Sequence, residues 1–190
     1  MAPASQSHQD ALRRSGQAGA TSFRHSLLGD SNRLKVSLQR RTTSSAVRRF
    51  KPSDAPAVEA ILGKSPEAAA WSLNSLERLR LRGELAWVVE AQGAVTGFLV
   101  ARTVADEAEI LNLSVDPAKR RKGNATALLL AAFEEFHRLR SKKSFLEVRE
   151  SNGPAISFYE KYGFIRNGRR PGYYQNPTEA AVLMMRELTG

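Results

Sequence analysis

A run of four cations, Lys119 to Lys122, stands beside a glycine at the predicted start of a helix. The preceding strand ends at Pro117, and Gly123 opens the helical segment. Each cation at a helix N-terminus is unfavourable by roughly 0.3 kcal/mol or more, because that end carries partial positive charge. A bound polyanion would reverse this sign, since free N–H groups there can cradle phosphates. The turn is either an anion-binding loop or a solvated basic turn, and it matches neither a Walker loop nor a dinucleotide GxGxxG motif.

A single carboxylate, Glu147, interrupts an otherwise apolar stretch. In a strand, Leu146 and Val148 would face one side of the sheet and Glu147 the other. Partial burial would make this carboxylate a better proton acceptor and hence a candidate general base. The alternative is a carboxylate at the rim of the sheet, paired with Arg149 or Lys143. Strand alternation alone does not choose between the two.

Composition excludes several kinds of site. The chain has 190 residues, with 29 Lys and Arg, 19 Asp and Glu, no Cys and a net charge of +10. The absence of Cys excludes disulfides, thiolate metal sites and a Cys nucleophile, and the three His are scattered, so no metal is expected. No apolar run approaches the roughly 18 residues of a membrane-spanning helix, so no membrane partner is expected. The charge favours a polyanionic partner such as nucleic acid, the ribosome or a phosphorylated cofactor.

Hydrophobic periodicity predicts a domain at residues 46–190, with strands of period two and helices of period three to four. The crossover helix around residues 123–140 makes its flanking strands parallel, whereas Gln92-Gly93 predicts an antiparallel hairpin. The result is an α/β fold with a mixed, mostly antiparallel sheet of about six to seven strands and helices on both faces. The predicted strands are residues 46–50, 85–91, 95–103, 109–115, 144–149, 164–167 and 181–186. The predicted helices are one that Ser53 or Asp54 caps and Gly63 ends, and residues 66–83, 123–140 and 154–162.

Residues 1–45 are predicted to be a disordered basic tail. They hold seven basic and two acidic residues and too few apolar residues to offset the entropy cost of ordering. Three interpretations remain open: a dispensable extension or a start codon assigned too early, an arm that makes weak contact with RNA or the ribosome, or an organelle transit peptide.

Several motifs resemble the GNAT acetyltransferase family. The run Arg120-x-x-Gly123-x-Ala125 matches the [RQ]-x-x-G-x-[GA] pyrophosphate loop of that family, and residues 113–117 resemble its preceding strand. The runs at residues 146–152 (LEVRxSN) and 155–164 (AIxxYExxGF) are similar to the branch that acetylates the N-terminal alanine of ribosomal proteins. The family resemblance covers about three quarters of the chain, residues 46–188.

The resemblance implies a cleft between two splayed parallel strands that binds acetyl-CoA as co-substrate, without a metal. The backbone of Leu113, Ser114 and Val115 would pair with the pantetheine arm, and Asn152 would reach the same arm. The pyrophosphate would be held by the loop residues Arg121, Lys122, Gly123, Asn124, Ala125 and Thr126.

The resemblance also implies two proton carriers. Glu147 would accept the proton of the attacking amine, directly or through a water, and Tyr159 would return a proton to the departing thiolate. A phenol with a pKa of about 10 can protonate a thiolate whose conjugate acid has a pKa of about 8.5 when the two groups are aligned. The alternative for Tyr159 is core packing beside Phe158 and Tyr162. Without a Cys or an activated Ser, direct transfer in a ternary complex is expected.

The acceptor is less well specified than the co-substrate. The resemblance implies the N-terminal α-amine of a protein, specifically a ribosomal protein with N-terminal alanine, and a cytoplasmic location. Departures from the family pattern fall on the acceptor side: Ala70 precedes Trp71, Gly172 and Gln175 flank the tandem tyrosines, and Ala180 follows Glu179. A small-molecule amine or a lysine side chain is an alternative acceptor. A second alternative is a basic ribosome- or RNA-binding module on a degenerate GNAT fold.

Overall fold

The computed structural model describes residues 45–68, Leu76 and residues 84–188. The predicted tail, residues 1–45, lies outside this part of the chain except for Ser45. Most of the second predicted helix, residues 66–83, also lies outside it. Leu76, which that prediction places on the apolar face, is helical and fully buried.

The described strands form a seven-stranded sheet in the order β1-β2-β3-β4-β5-β7-β6. The β4–β5 pair is parallel and the other neighbouring pairs are antiparallel, which confirms the predicted mixed, mostly antiparallel sheet. The strands are β1 (Ala46–Arg49), β2 (Leu85–Ala91), β3 (Ala94–Val104), β4 (Glu107–Val115), β5 (Lys143–Arg149), β6 (Ile165–Gln175) and β7 (Thr178–Glu187).

The helices with described bounds are α1 (Ala55–Gly63), α2 (Asn124–Arg138) and α3 (Gly153–Lys161). In α2 the apolar residues recur every three or four positions, and this stripe is buried against the sheet, as the periodicity predicts. Gly163 has a φ of 81° just past α3, the conformation that ends a helix and that glycine adopts without strain. In the described ranges no helix is long and apolar enough to cross a bilayer.

Two apolar cores lie on opposite faces of the sheet, because successive side chains of a strand point to opposite sides. One core joins β2 and β3 to α2 and α3, through Trp87, Val89, Leu99, Leu129, Phe136 and Tyr159, among others. The other joins the same two strands to α1, through Ala86, Val88, Phe98, Val100, Val58 and Ile61, among others. Helices on both faces are thereby confirmed.

The start of α1 differs from the capping prediction. Asp54 precedes the helix, but its carboxylate makes no capping bond to it. It accepts two hydrogen bonds from the Arg48 guanidinium, at 2.7 and 2.8 Å, and one from the Lys51 N–H. Arg48 lowers the pKa of Asp54, and the pair ties β1 to the entrance of α1. The cap was expected because local sequence cannot show that a cation on β1 competes for the carboxylate.

The last two strands are longer than predicted. Strand β6 spans 11 residues although only residues 164–167 were predicted, and β7 spans 10. Nearly every β6 side chain is exposed, so the strand carries no apolar alternation. It forms because its backbone pairs with β7, with register shifts on either side of Arg169 and Arg170.

The parallel pair separates part-way along its length. Pairing of β4 with β5 ends at Ile110 and Leu146, whereas the strands continue to Val115 and Arg149. A bulge lies at the same point, because Leu111 has no partner in the register between β3 and β4. A bulge increases the local twist of a strand, which turns the end of β4 away from β5. This confirms the predicted cleft between splayed parallel strands.

Candidate active site

One wall of the cleft is the free edge of β4. Leu113, Ser114 and Val115 pair on their other side with β3, and β5 does not reach them. The Val115 carbonyl accepts a 3.0 Å hydrogen bond from the Arg120 Nε. The remaining edge can accept an extended amide chain as an additional strand, which is the role predicted for these three residues.

The entrance of α2 presents free backbone donors. Gly123 precedes the helix with a φ of 83°, a left-handed conformation that side-chain-bearing residues rarely adopt. A Cβ atom there would meet no atom within 4 Å, so this side of the loop is open. The first helical hydrogen bond runs from the Ala127 N–H to the Gly123 carbonyl. The N–H groups of Asn124, Ala125 and Thr126 precede it, so they can bind an anion.

Arg120 has a structural part in this loop. Besides its bond to Val115, its Nη2 atom forms an ion pair with Glu67. These contacts anchor the loop to the end of β4 and to the segment after α1. Arg121 and Lys122 remain exposed and are the cations that the loop presents beside the helix entrance.

Two further side chains of the loop form internal hydrogen bonds. The buried Asn124 turns inward, and its Nδ2 donates to the Lys119 carbonyl at 3.2 Å. The Thr126 and Tyr162 hydroxyls are 2.8 Å apart and share a hydrogen bond. Asn124 can therefore offer a ligand its backbone N–H, and Thr126 connects the loop to the end of α3.

Glu147 lies on β5 at the point where the two parallel strands have separated. Leu146 and Val148 are buried in the core, and the Glu147 side chain on the opposite face is 22% exposed. Its Oε1 accepts a hydrogen bond from the Arg170 Nη1 at 2.5 Å. The pKa of Tyr173 is raised, chiefly by a hydrogen bond to Glu147. A rim pair of Glu147 with Arg149 or Lys143 was the alternative prediction, but the partner is Arg170 on β6.

Arg149 and Lys143 pair elsewhere. Lys143 faces Glu187, and the Arg149 Nη1 lies 3.1 Å from the Glu179 Oε2. The Arg149 guanidinium also stacks on the Tyr174 ring, 4.2 Å from its centroid. Glu179 further accepts the Ser151 N–H, and this bond together with Arg149 lowers its pKa. These contacts join the end of β5 to the β6–β7 hairpin.

Tyr159 is a core aromatic whose hydroxyl faces no hydrogen-bond partner in the described part of the chain. Its ring packs edge-on against Phe158 and Phe164, with centroids 5.3 and 5.5 Å away. Among the residues that the structure describes, none hydrogen-bonds its hydroxyl. Burial, and secondarily the nearby Tyr174, raises the pKa of Tyr159 well above its usual range. Its proton is therefore firmly held at neutral pH and is available to a hydrogen-bond acceptor in the cleft.

Tyr174 is an electrostatic neighbour of both candidate proton carriers. It is half-buried, and desolvation followed by the charge of Glu147 raises its pKa to about 12. Tyr174 in turn contributes, after burial, to the raised pKa of Tyr159. Glu147 on β5 and Tyr159 on α3 therefore share one electrostatic neighbour, although they come from separate elements.

Asn152 follows the end of β5 and caps α3. Its Oδ1 accepts a 3.2 Å hydrogen bond from the Ala155 N–H, which fixes the side chain. The cap engages only the oxygen, so the Nδ2 group can donate to a ligand carbonyl in the cleft.

Arg170 is the candidate functional residue that sequence reasoning missed. It lies in the polar run of β6 and reaches Glu147 across 23 positions of the chain, so no local pattern indicates the contact. The tandem tyrosines that follow it were the available signal for this region. No cluster of three or more potential metal ligands occurs among the described residues.

Comparison with known protein families gives one match over the centre of the chain. Residues 53–164 match the acetyltransferase (GNAT) family. Among curated proteins, ribosomal protein bS18-alanine N-acetyltransferase of Escherichia coli K12 is 31% identical over 137 residues, covering 71% of this chain and 92% of that protein. A protein of Bacillus subtilis with the same name, marked putative, is 31% identical over 144 residues, covering 75% and 95%.

Solved structures agree with these matches. The ribosomal-protein-S18-alanine N-acetyltransferase from Escherichia coli superposes with a TM-score of 0.68 at 29% identity, covering 77% of this chain and 95% of that one. Ard1 from Thermoplasma volcanium superposes with a TM-score of 0.71 at 30% identity, covering 77% and 99%.

A charge placed in the loop at α2 tests whether it binds phosphates. We expect Gly123→Asp to weaken acetyl-CoA binding by about 2 kcal/mol or more, roughly thirtyfold, because the carboxylate repels the phosphates and occupies their N–H donors. Some fold stability should also be lost, because aspartate rarely adopts the left-handed φ of 83° at this position. Isothermal titration and thermal melts would measure both quantities.

Gly93→Asp is the matched control for this variant. Gly93 also has a positive φ, 76°, and a Cβ atom there would likewise meet no atom within 4 Å, but it lies in the β2–β3 turn. It should leave acetyl-CoA affinity unchanged. Equal affinities for the two variants would contradict a phosphate site at Gly123.

Proposed function

Because the chain belongs to the GNAT family and is an acetyl-CoA-dependent N-acetyltransferase, we propose that it acetylates the N-terminal α-amine of a protein. The proposed acceptor is a ribosomal protein that begins with alanine. The observation that carries this proposal is Glu147, a mostly buried carboxylate that Arg170 holds on β5 just beyond the point where the parallel strands separate. The names of the bS18-alanine N-acetyltransferases support the choice of acceptor.

The cleft fits acetyl-CoA on observations of this chain alone. The open N-terminus of α2, with Arg121 and Lys122 beside it, suits a pyrophosphate. The free edge of β4 suits the amide groups of a pantetheine arm, and the Asn152 Nδ2 can donate to one of its carbonyls. When bound, acetyl-CoA supplies an acetyl group activated as a thioester.

Glu147 is proposed to accept the proton of the incoming ammonium. Arg170 holds its Oε1, and the hydrogen bond to Tyr173 further fixes the carboxylate. A fixed carboxylate can take a proton from an amine in one orientation, directly or through a water. Transfer then follows by direct attack of the neutral amine.

Tyr159 is proposed to donate to the leaving sulfur. The raised pKa keeps its hydroxyl protonated, and the hydroxyl has no acceptor among the described residues. The same burial that raises the pKa of the phenol also destabilises an unsolvated thiolate, so both groups favour sharing the proton. A hydrogen bond to the sulfur as charge develops there would stabilise departure.

The proposed place of this reaction is the cytoplasm, where ribosomal proteins are made. Residues 1–45 carry five net positive charges and could add a weak, salt-dependent contact with ribosomal RNA. That contact would help the protein associate with the ribosome and would take no part in the chemistry of the cleft.

Acceptor identity is tested by a panel of peptides. We expect an alanine-initiated peptide to be acetylated on its α-amine faster than serine-, methionine- or glycine-initiated peptides of otherwise equal sequence. A lysine peptide with a blocked N-terminus and a polyamine complete the panel. Mass spectrometry after incubation with acetyl-CoA gives the site and rate, and faster modification of either of these last two acceptors would contradict the proposal.

Loss of the proposed base should be partly compensated by pH. We expect Glu147→Gln to lower kcat/KM by about 10² to 10⁴, because the amine then loses its general base. Activity should recover partly above a pH of about 8, where more of an α-amine is already neutral. Glu150→Gln, an exposed carboxylate three positions on, is the matched control and should keep its activity. An unchanged pH–rate profile in Glu147→Gln would refute the role.

Loss of the proposed acid should not respond to pH in this way. We expect Tyr159→Phe to lower kcat by about 10² or more, without recovery at high pH, because the sulfur still lacks a donor. Since none of the described residues hydrogen-bonds the hydroxyl, the free energy of unfolding from thermal melts should change by less than about 1 kcal/mol. Tyr162→Phe, at the residue that follows α3, should instead change the affinity for acetyl-CoA, because it removes the hydrogen bond to Thr126 in the loop. Full activity of Tyr159→Phe would indicate that Tyr159 serves only in core packing.

A further inference from the structure

An open groove of about 330 Å³ lies on the sheet beside the cleft. It is formed by the end of β3, the start of β4 and the start of β5. Val104, which is 68% exposed, and Phe145 provide apolar surface, and three charged side chains line the rest: Arg102, Glu107 and Glu109. We call these five residues the β3–β5 groove.

The groove shares a face of the sheet with Glu147. Arg102, Glu109 and Phe145 lie side by side in the register of β3, β4 and β5. Phe145 and Glu147 are two positions apart on β5, so their side chains point the same way, about 7 Å apart along the strand. The groove therefore lies on the same face as the proposed acceptor end of the cleft, two positions along β5 from Glu147.

The charge of the groove is opposite to that of the protein. The chain carries a net charge of +10, yet the groove holds two carboxylates and one cation. Arg102 is engaged by Glu109 through an ion pair at 2.6 Å. Glu107 has no ion-pair partner in the described part of the chain, and Lys143, the cation opposite it in the β4–β5 register, is paired with Glu187.

We propose that the β3–β5 groove binds a lysine or arginine side chain of the acceptor protein, a few residues after its acetylated N-terminus. Such a side chain has an aliphatic stem that suits Val104 and Phe145 and a cationic head that suits Glu107. An extended chain advances about 3.4 Å per residue, so the second to fourth residues of an acceptor held at Glu147 reach the groove. The inference rests on the proposed function and adds a preference for basic acceptors.

The test crosses enzyme variants with acceptor peptides. A neutral alanine-initiated peptide is compared with versions that carry lysine at position 2, 3 or 4. In the full-length enzyme at low salt, at least one lysine should lower KM about two- to fivefold at unchanged kcat, as a single exposed ion pair allows. Glu107→Gln should remove most of this gain, and Glu107→Lys should reverse it. With Glu107→Lys, a peptide carrying glutamate at that position should recover the lower KM.

Two controls separate binding in the groove from a general effect of net charge and from failure of the reaction itself. Glu134→Lys makes the same charge change on the exposed side of α2, and it should leave every KM ratio as in the unsubstituted enzyme. The groove proposal would be overturned if Glu134→Lys had the same effect on KM as Glu107→Lys. It would also be overturned if Glu107→Lys left the KM of the lysine peptides unchanged. In that case the proposed function would still stand, provided that all variants acetylate the neutral peptide. If no α-amine in the panel is acetylated, the proposed function and the groove both fail.

Discussion

The site depends on one interruption of backbone pairing, the end of the β4–β5 ladder at Ile110 and Leu146. Had the two parallel strands remained paired, their N–H and C=O groups would satisfy each other and no edge would face a ligand. The unpaired residue Leu111 supplies the bulge that separates them. Because β5 continues past this point, Glu147 faces the cleft from a rigid strand. Asn152 follows directly, so its position is set by the same strand.

The co-substrate side of the cleft shows how a locally unfavourable arrangement can be maintained. Cations at a helix N-terminus and a left-handed residue at its entrance both oppose folding of the loop, the first through the helix dipole and the second through backbone conformation. Glycine at position 123 removes the conformational cost, and Arg120 anchors the loop to β4. A bound pyrophosphate would neutralise the remaining charge. The loop is therefore suited to bind an anionic ligand.

The acceptor side depends on a different part of the chain. The β6–β7 hairpin brings Arg170, Tyr173 and Tyr174 to β5, and Arg149 with Glu179 secures the hairpin to the end of that strand. Tyr174 also contributes to the raised pKa of Tyr159, which comes from a separate element, α3. Substitutions in β6 can therefore change the acceptor environment while the loop at α2 keeps its geometry. This division agrees with the departures from the family pattern, which fall on the acceptor side.

The sequence alone determined the features that depend on neighbouring residues. Periodicity predicted β2 to β5 and α2 closely, and Gln92-Gly93 predicted the hairpin, because each signal lies within one element or turn. The anion-binding role of the run at Gly123 rests on the same kind of local signal and stays a prediction. Tertiary structure alone decided the partner of Glu147, the burial of Tyr159 and the length of β6. Arg170 on β6 reaches Glu147 on β5 over the intervening strand β7, and β6 forms through backbone pairing with β7, without an apolar pattern of its own. Such contacts join residues that are distant in the chain, so local side-chain patterns do not indicate them.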